Sequence, residues 1–224
     1  MLRRLFAVML CVCMMIFPVK GQAQKRYVAL TFDDGPSGRF TRRLLEGLEQ
    51  RDVKATFFLC GYRLKSDGKT AEKIASAGHE IGLHGYSHDN MGKMDRKTAA
   101  REIADTLALL PKGCRPAFLR PPGGASGPGV EQAAKSAGLA LLGWSVDPRD
   151  WATRDAGAVQ TAVLADVGDG DVILLHDMSD SSVDAALGIV DSLLSQGFCF
   201  VTVSELAALR GITPQPGANY RCFR

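Results

Sequence analysis

Residues 27–36 read Tyr27-Val28-Ala29-Leu30-Thr31-Phe32-Asp33-Asp34-Gly35-Pro36. A short apolar stretch, Tyr27 to Phe32, runs into two carboxylates and a Gly-Pro turn, which is the pattern of a buried strand and its end. Side chains of neighbouring strand residues point to opposite faces. That alternation breaks where a strand enters a turn, so Asp33 and Asp34 can both face one cleft. Two crowded carboxylates repel and raise each other's pKa unless a positive group compensates. A metal ion is the obvious compensator, although the same residues also describe an ordinary polar turn.

Working outward, similar short runs recur: Thr56–Leu59, Glu80–Leu83, Ala117–Leu119, Leu139–Trp144, Val172–Leu175 and Cys199–Val203. Helical segments are expected between them, over Phe40–Arg51, Thr70–Ala77, Lys97–Leu110, Gly129–Ala137, Ala156–Ala165 and Val183–Ser195. Gly78, Gly138 and Gly197 stand where helices end, and Thr202-Val203-Ser204-Glu205 has the form of a capping box opening a last helix. Strand-helix alternation of this kind predicts an α/β architecture with a largely parallel sheet. It leaves an open sheet and a barrel equally consistent with the pattern. Residues 212–224, rich in proline and glycine, are expected to form a peripheral tail.

At the N-terminus, Arg3 and Arg4 precede an uncharged apolar run from Leu5 to Phe17, and Gly21-Gln22-Ala23 offers a cleavage site. This is the layout of a secretory signal peptide over residues 1–23. The run is shorter than the roughly 20 residues that span a bilayer. Export to a periplasm or the extracellular space is expected, with no membrane anchor after cleavage; an uncleaved N-terminal anchor is the alternative. The formal net charge of +3 lies entirely in Arg3, Arg4 and Lys20. The remainder is balanced, which gives no support to nucleic-acid binding. Cys60, Cys114, Cys199 and Cys222 match no zinc-finger spacing, and export makes disulfides chemically accessible. Residues 24–211 are expected to form one catalytic domain, acting as a monomer.

Four more polar clusters follow predicted strands. His84-Gly85-Tyr86-Ser87-His88 offers two imidazoles that can converge on one ion, and with one carboxylate they make a three-ligand site suited to zinc. Arg120-Pro121-Pro122-Gly123-Gly124 fixes an arginine at a strand end and leaves backbone open to a ligand. Asp147-Pro148-Arg149-Asp150-Trp151 adds carboxylates and an aromatic ring. His176 ends Ile173-Leu174-Leu175-His176-Asp177 and can serve as a general acid, its ordinary pKa lying near working pH. Each cluster alone is also a common loop.

Taken in order, T-F-D-D-G-P at 31–36, H-x-x-x-H at 84–88, R-P-P-x-G at 120–124, D-x-x-D-W at 147–151 and L-x-H-D at 174–177 resemble the five motifs of the polysaccharide deacetylases. These are also called the nodulation-type or family-four carbohydrate esterases. The resemblance runs from about Tyr27 to Leu209. It implies a distorted (β/α) barrel of about seven strands. It also implies a general base at Asp33, a metal triad of Asp34, His84 and His88, and an Arg120 that holds Asp33. Asp150 would orient His176, the general acid; Gly123 would supply an oxyanion N–H, while Leu174 and Trp151 would wall the acetyl pocket. The implied cofactor is a divalent metal, zinc first, with cobalt or nickel as alternatives.

The implied reaction is removal of N-acetyl groups from an N-acetylglucosamine-containing glycan such as peptidoglycan or a chitin-type oligomer. The alternatives are an O-acetyl esterase on acetylated xylan and an inactive glycan-binding protein on the same scaffold. Two positions depart from the family pattern. Gly123 stands where many relatives carry an aromatic residue, which would open the cleft floor. Leu83 replaces a residue that is often polar and leaves the ligands untouched.

Overall fold

The computed structural model describes residues 25–224; the expected signal peptide lies outside them. Strands and helices alternate as β1 (Arg26–Gly35), α1 (Arg39–Glu49), β2 (Thr56–Leu59), α2 (Gly61–Ser76), β3 (Glu80–Leu83), α3 (Arg96–Leu107), β4 (Phe118–Leu119), α4 (Pro128–Ser136) and β5 (Ala140–Leu142). The chain continues through α5 (Asp150–Thr153), α6 (Ala156–Asp166), β6 (Val172–His176), α7 (Asp180–Ser195), β7 (Phe198–Phe200), α8 (Val203–Leu209) and β8 (Asn219–Tyr220). The sheet order is β6-β1-β2-β3-β4-β5-β8, with β7 beside β1. Every pairing is parallel. Beyond β5 the chain returns to β6 through a bridge between Val146 and Ile173. The sheet therefore curls into the distorted barrel that the motif resemblance implies, as one α/β domain.

Strand periodicity explains where the chemistry sits. Val28, Leu30 and Phe32 face outward into a core shared with Leu44 and Leu48 of α1, Val163 of α6 and Ile189 of α7. Ala29, Thr31 and Asp33 face the other way, inside the curl. The register Ala29↔Val172, Thr31↔Leu174, Asp33↔His176 places β6 residues beside them in the same steps. The inside thus runs from apolar to ionisable along the strands. Its apolar end, with Ala29, Phe58, Phe118, Leu142 and Val172, is plugged by Val203 and Leu206 of α8 and by Phe223. Its other end, where every parallel strand finishes, is open.

Local signals match the helix ends. Asp95, Asp155 and Ser179 cap α3, α6 and α7 by accepting a backbone N–H, and Thr202 with Glu205 forms the predicted capping box of α8. The strand expected over Cys199–Val203 is Phe198–Phe200, since the capping box already commits Val203 to α8. The short α5 is not among the expected helices, and two further segments differ more. α2 begins at Gly61, nine residues before the expected Thr70, with a break at Asp67. Residues 212–224 are also no peripheral tail. Asn219 and Tyr220 pair with Leu141 and Leu142, and Phe223 is buried against Phe118 and Tyr220. The buried aromatic ring outweighs the turn-rich composition that suggested a loose end. Cys60, Cys114, Cys199 and Cys222 are free thiols, with Cys60 buried. Among the described residues no helix is long and apolar enough to cross a membrane.

Candidate active and metal site

At the strand ends lies a cavity of about 850 Å³, lined by Asp33, Asp34, His84, His88, Gly123, Leu174, Trp151 and His176 among others. Eight of the ten residues singled out from sequence thus meet in one cleft. The other two, Arg120 and Asp150, are buried directly behind it.

Asp33 continues the inward face of β1. Asp34 does not follow the alternation: its φ is 68°, in the left-handed region, and the pairing with β2 shifts register between Phe32 and Gly35. This local break turns both carboxylates toward the cavity. Such backbone costs about 1–3 kcal/mol for a non-glycine residue and persists only where its surroundings hold it. Behind the turn, the fully buried Asp177 accepts hydrogen bonds from Thr41 and Ser37, tying the end of β6 to the start of α1. Burial pushes its carboxyl up to about 6, against the hydrogen bonds from Thr41 and Ser37.

Arg120 is fully buried and serves several partners at once. Nη1 donates to Asp33 Oδ1 at 2.7 Å and to Thr31 Oγ1 at 2.8 Å. Nη2 donates to the Gly143 carbonyl at 2.9 Å, and Nε donates to Leu142 O at 3.3 Å. The guanidinium lies 4.1 Å over the Phe58 ring. Thr31 and the carbonyls of Leu142 and Gly143 were not legible in the sequence. The inward step of Thr31, two residues before Asp33, was the available signal.

His84 Nδ1 lies 2.7 Å from the Arg120 carbonyl oxygen, so Nδ1 is the donor and Nε2 presents a lone pair. That lone pair faces Asp34 Oδ1 at 3.2 Å, and His88 Nε2 faces the same oxygen at 2.9 Å. Asp34 Oδ1 is buried and lacks a hydrogen-bond partner. The three ligand atoms lie within 4.8 Å of one another. Electron pairs so placed repel unless positive charge lies between them. Burial opposes the charge on Asp34, yet the two imidazoles hold its carboxyl well below the usual range. Asp34 in turn drives His88 toward its protonated form. Two nitrogens and one oxygen fit a divalent cation that tolerates open positions.

On the opposite wall, Asp150 at the start of α5 is buried and holds His176 twice. Oδ1 lies 2.8 Å from Nδ1, and Oδ2 accepts the His176 backbone N–H at 2.9 Å. Burial opposes an imidazolium there, but the hydrogen bond and charge of Asp150 prevail and push His176 up to about 9. Nε2 is left for the cavity. Gly123 sits in the tight turn Pro122–Gly124 with φ 62°. Its neighbours Gly124 and Ala125 donate within the turn, whereas the Gly123 N–H has no hydrogen bond of its own among the described residues. Leu174 is buried at the cavity wall, and Trp151 stands 55% exposed at the rim. His79 lies apart, buried, with Nδ1 accepting the Ala55 N–H.

A family model described as polysaccharide deacetylase matches residues 20–142. The peptidoglycan-N-acetylmuramic acid deacetylase PdaC of Bacillus subtilis is 36% identical over 188 residues, which is 83% of this chain and 40% of that protein. A peptidoglycan-N-acetylglucosamine deacetylase of Bacillus cereus is 35% identical over 188 residues, covering 81% of this chain and 88% of its own length. The solved structure of a family 4 acetyl xylan esterase from Clostridium thermocellum, in complex with a cobalt ion, superposes with a TM-score of 0.82 at 35% identity. That match covers 88% of this chain and 98% of the esterase. The chain spans about 40% of the length of PdaC and of PgdA from Listeria monocytogenes, to which it is equally similar.

Proposed function

The chain belongs to the polysaccharide deacetylase family, and we propose that it is a metal-dependent hydrolase that removes N-acetyl groups from an N-acetylglucosamine-containing glycan. Peptidoglycan is the first substrate to consider, since the curated relatives above are peptidoglycan deacetylases; chitin-type oligomers share the same acetamide. The observation that carries the reading is the register Asp33↔His176. It sets a carboxylate and an imidazole side by side, each held from behind by a buried partner of opposite charge, next to the Asp34, His84 and His88 donors.

Asp34, His84 and His88 would hold the cation, with zinc proposed and cobalt or nickel suiting the same donors. When bound, the cation supplies Lewis acidity, which lowers the pKa of water and polarises a carbonyl. Asp33, aimed by Arg120, takes a proton from the attacking water as the oxygen–carbon bond forms. The unengaged N–H of Gly123 meets the negative charge that develops on the acetamide oxygen. His176 gives its proton to the nitrogen as the carbon–nitrogen bond breaks, so that a free amine leaves and acetate remains. Leu174 offers an apolar wall to the acetyl methyl group, and Trp151 a rim for the sugar. Every group named comes from one chain, so a monomer suffices. A cell-wall substrate matches an exported location, periplasmic or extracellular.

The test is acetate release from chitin oligomers, peptidoglycan and acetylated xylan, after chelation and again after zinc is restored. Release from the N-acetylated glycans that disappears on chelation and returns with zinc is expected. Release from acetylated xylan alone would replace the amidase with an esterase, and no release from any of them would leave glycan binding. Asp33→Asn is expected to lower kcat by roughly 10²–10⁴, the usual contribution of a general base, while still binding zinc.

A further inference from the structure

The two imidazoles are held differently. His84 is buried and fixed by the Arg120 carbonyl, whereas the His88 side chain is 43% exposed. His88 also sits at φ 68°, in the left-handed region. Its aim at Asp34 therefore depends on the backbone of the turn, residues 85–87. That turn is gripped from two sides. On one side its carbonyls are taken: Gly61 N–H donates to Gly85 O at 2.9 Å and Tyr62 N–H to Tyr86 O at 3.0 Å. On the other side its amides converge on one carboxylate, Glu102 in α3. Oε2 of Glu102 accepts from Tyr86 N–H at 2.6 Å and from Ser87 N–H at 2.9 Å. The same oxygen stands 3.3 Å from where a Cβ on Gly85 would lie, at φ 75°. A side chain at Gly85 would crowd this carboxylate.

We infer that Glu102 is a positioning residue for the metal site, holding the His88 imidazole in place through the Tyr86 and Ser87 amides. The inference rests on the reading that Asp34, His84 and His88 hold a divalent cation. A carboxylate that accepts two backbone amides fixes two peptide planes at once, and charge-assisted bonds of this kind are about twice as strong as neutral ones. Removing it leaves two donors unpaired beside a backbone conformation that is costly without support. Partners one step removed from a metal typically contribute 10–100-fold to its affinity.

Cobalt(II) affinity, followed by its visible absorption and by competition with a chelator, tests the inference without recourse to turnover. Wild-type protein should bind one cobalt ion. Glu102→Ala should bind it roughly 10–100-fold more weakly and with an altered absorption envelope. Glu102→Gln, which keeps an acceptor oxygen at the same reach, should recover most of the loss. Glu102→Asp, one methylene short, should not. Should Glu102→Ala fail to fold, the Gln and Asp variants decide by the difference between them. Wild-type cobalt affinity and spectrum in Glu102→Asp, or in a folded Glu102→Ala with only a lowered Tm, would overturn the inference. Absence of cobalt binding in wild-type protein would instead overturn the metal reading on which it stands.

Discussion

Arg120 joins the two halves of the chemistry. Its side chain holds Asp33, and its carbonyl fixes the tautomer of His84, so a single residue sets both the proposed base and one proposed metal ligand. Because it is fully buried, deleting either partner of the pair strands a charge, at a cost of about 3–5 kcal/mol. Asp150 does for His176 what Arg120 does for Asp33, and its effect can be read as a pH dependence. In the proposed mechanism His176 acts as an acid in its protonated form, so activity should fall as pH rises through its pKa. Asp150 raises that pKa against burial. Asp150→Asn should therefore move the alkaline limb of kcat/KM to lower pH, by about one unit or more. A pH–rate profile whose alkaline limb stays put would remove His176 from the acid role. The residue types and their strand-end positions made Asp33, His84, Arg120 and His176 legible in the sequence. The left-handed backbone of Asp34 and His88 was not, because nothing in an Asp-Gly-Pro or Ser-His-Asp string marks which residue takes positive φ. The pairing of Asp150 with His176, 26 residues apart, came only through the motif resemblance.

At the scale of elements, the tight turn Pro122–Gly124 and the last strand make opposite contributions. The turn is proposed to bear on substrate. A side chain at Gly123 would meet no neighbouring atom within 4 Å, so the floor of the cleft is open there. Gly123→Tyr should narrow the range of glycans accepted, seen as a rise in KM for branched or peptide-bearing substrates relative to short chitin oligomers. A left-handed φ in a non-glycine residue also costs about 1–2 kcal/mol. Equal preference in the variant would show that the open floor has no bearing on selection. The last strand and the residues that follow it bear on stability. Phe223 is buried at the plugged end of the barrel, its N–H donating to the Gly170 carbonyl and its carbonyl accepting from Arg210 Nε. Phe223→Ala should cost about 3–5 kcal/mol in urea denaturation and leave KM unchanged. Strands such as Val172–His176 were legible because apolar runs bounded by turns have few other readings. β8 was not, since two residues, Asn219 and Tyr220, carry no periodicity and their partner strand lies far back in the chain.

Across the whole molecule, the barrel separates function from stability along its axis: ionisable groups gather at the open end, and α8 with Phe223 closes the other. His79 belongs to neither end. It is buried beside β2, and its Nδ1 accepts the Ala55 N–H at 3.1 Å, which requires a neutral ring. Burial, and to a lesser extent Lys54, push it down to about 4. The unfolded chain would titrate this histidine near 6.5. Its contribution to stability is therefore complete above about 6.5, and it is lost as pH falls, because the unfolded state binds the proton first. The slope approaches about 1.4 kcal/mol per pH unit and ends once the folded state is protonated too, below about 4. Asn at this position can keep an acceptor oxygen for Ala55 without titrating. It gives up the edge contact with Phe57, so its absolute stability should drop at neutral pH. The informative quantity is the gap between wild type and His79→Asn in urea unfolding. That gap should be constant above pH 7 and shrink steadily between pH 6.5 and 4, while kcat/KM at neutral pH stays at the wild-type value. A gap that does not change with pH would mean that the imidazole takes up its proton equally well in the folded chain, and that the Ala55 bond does not depend on a neutral ring.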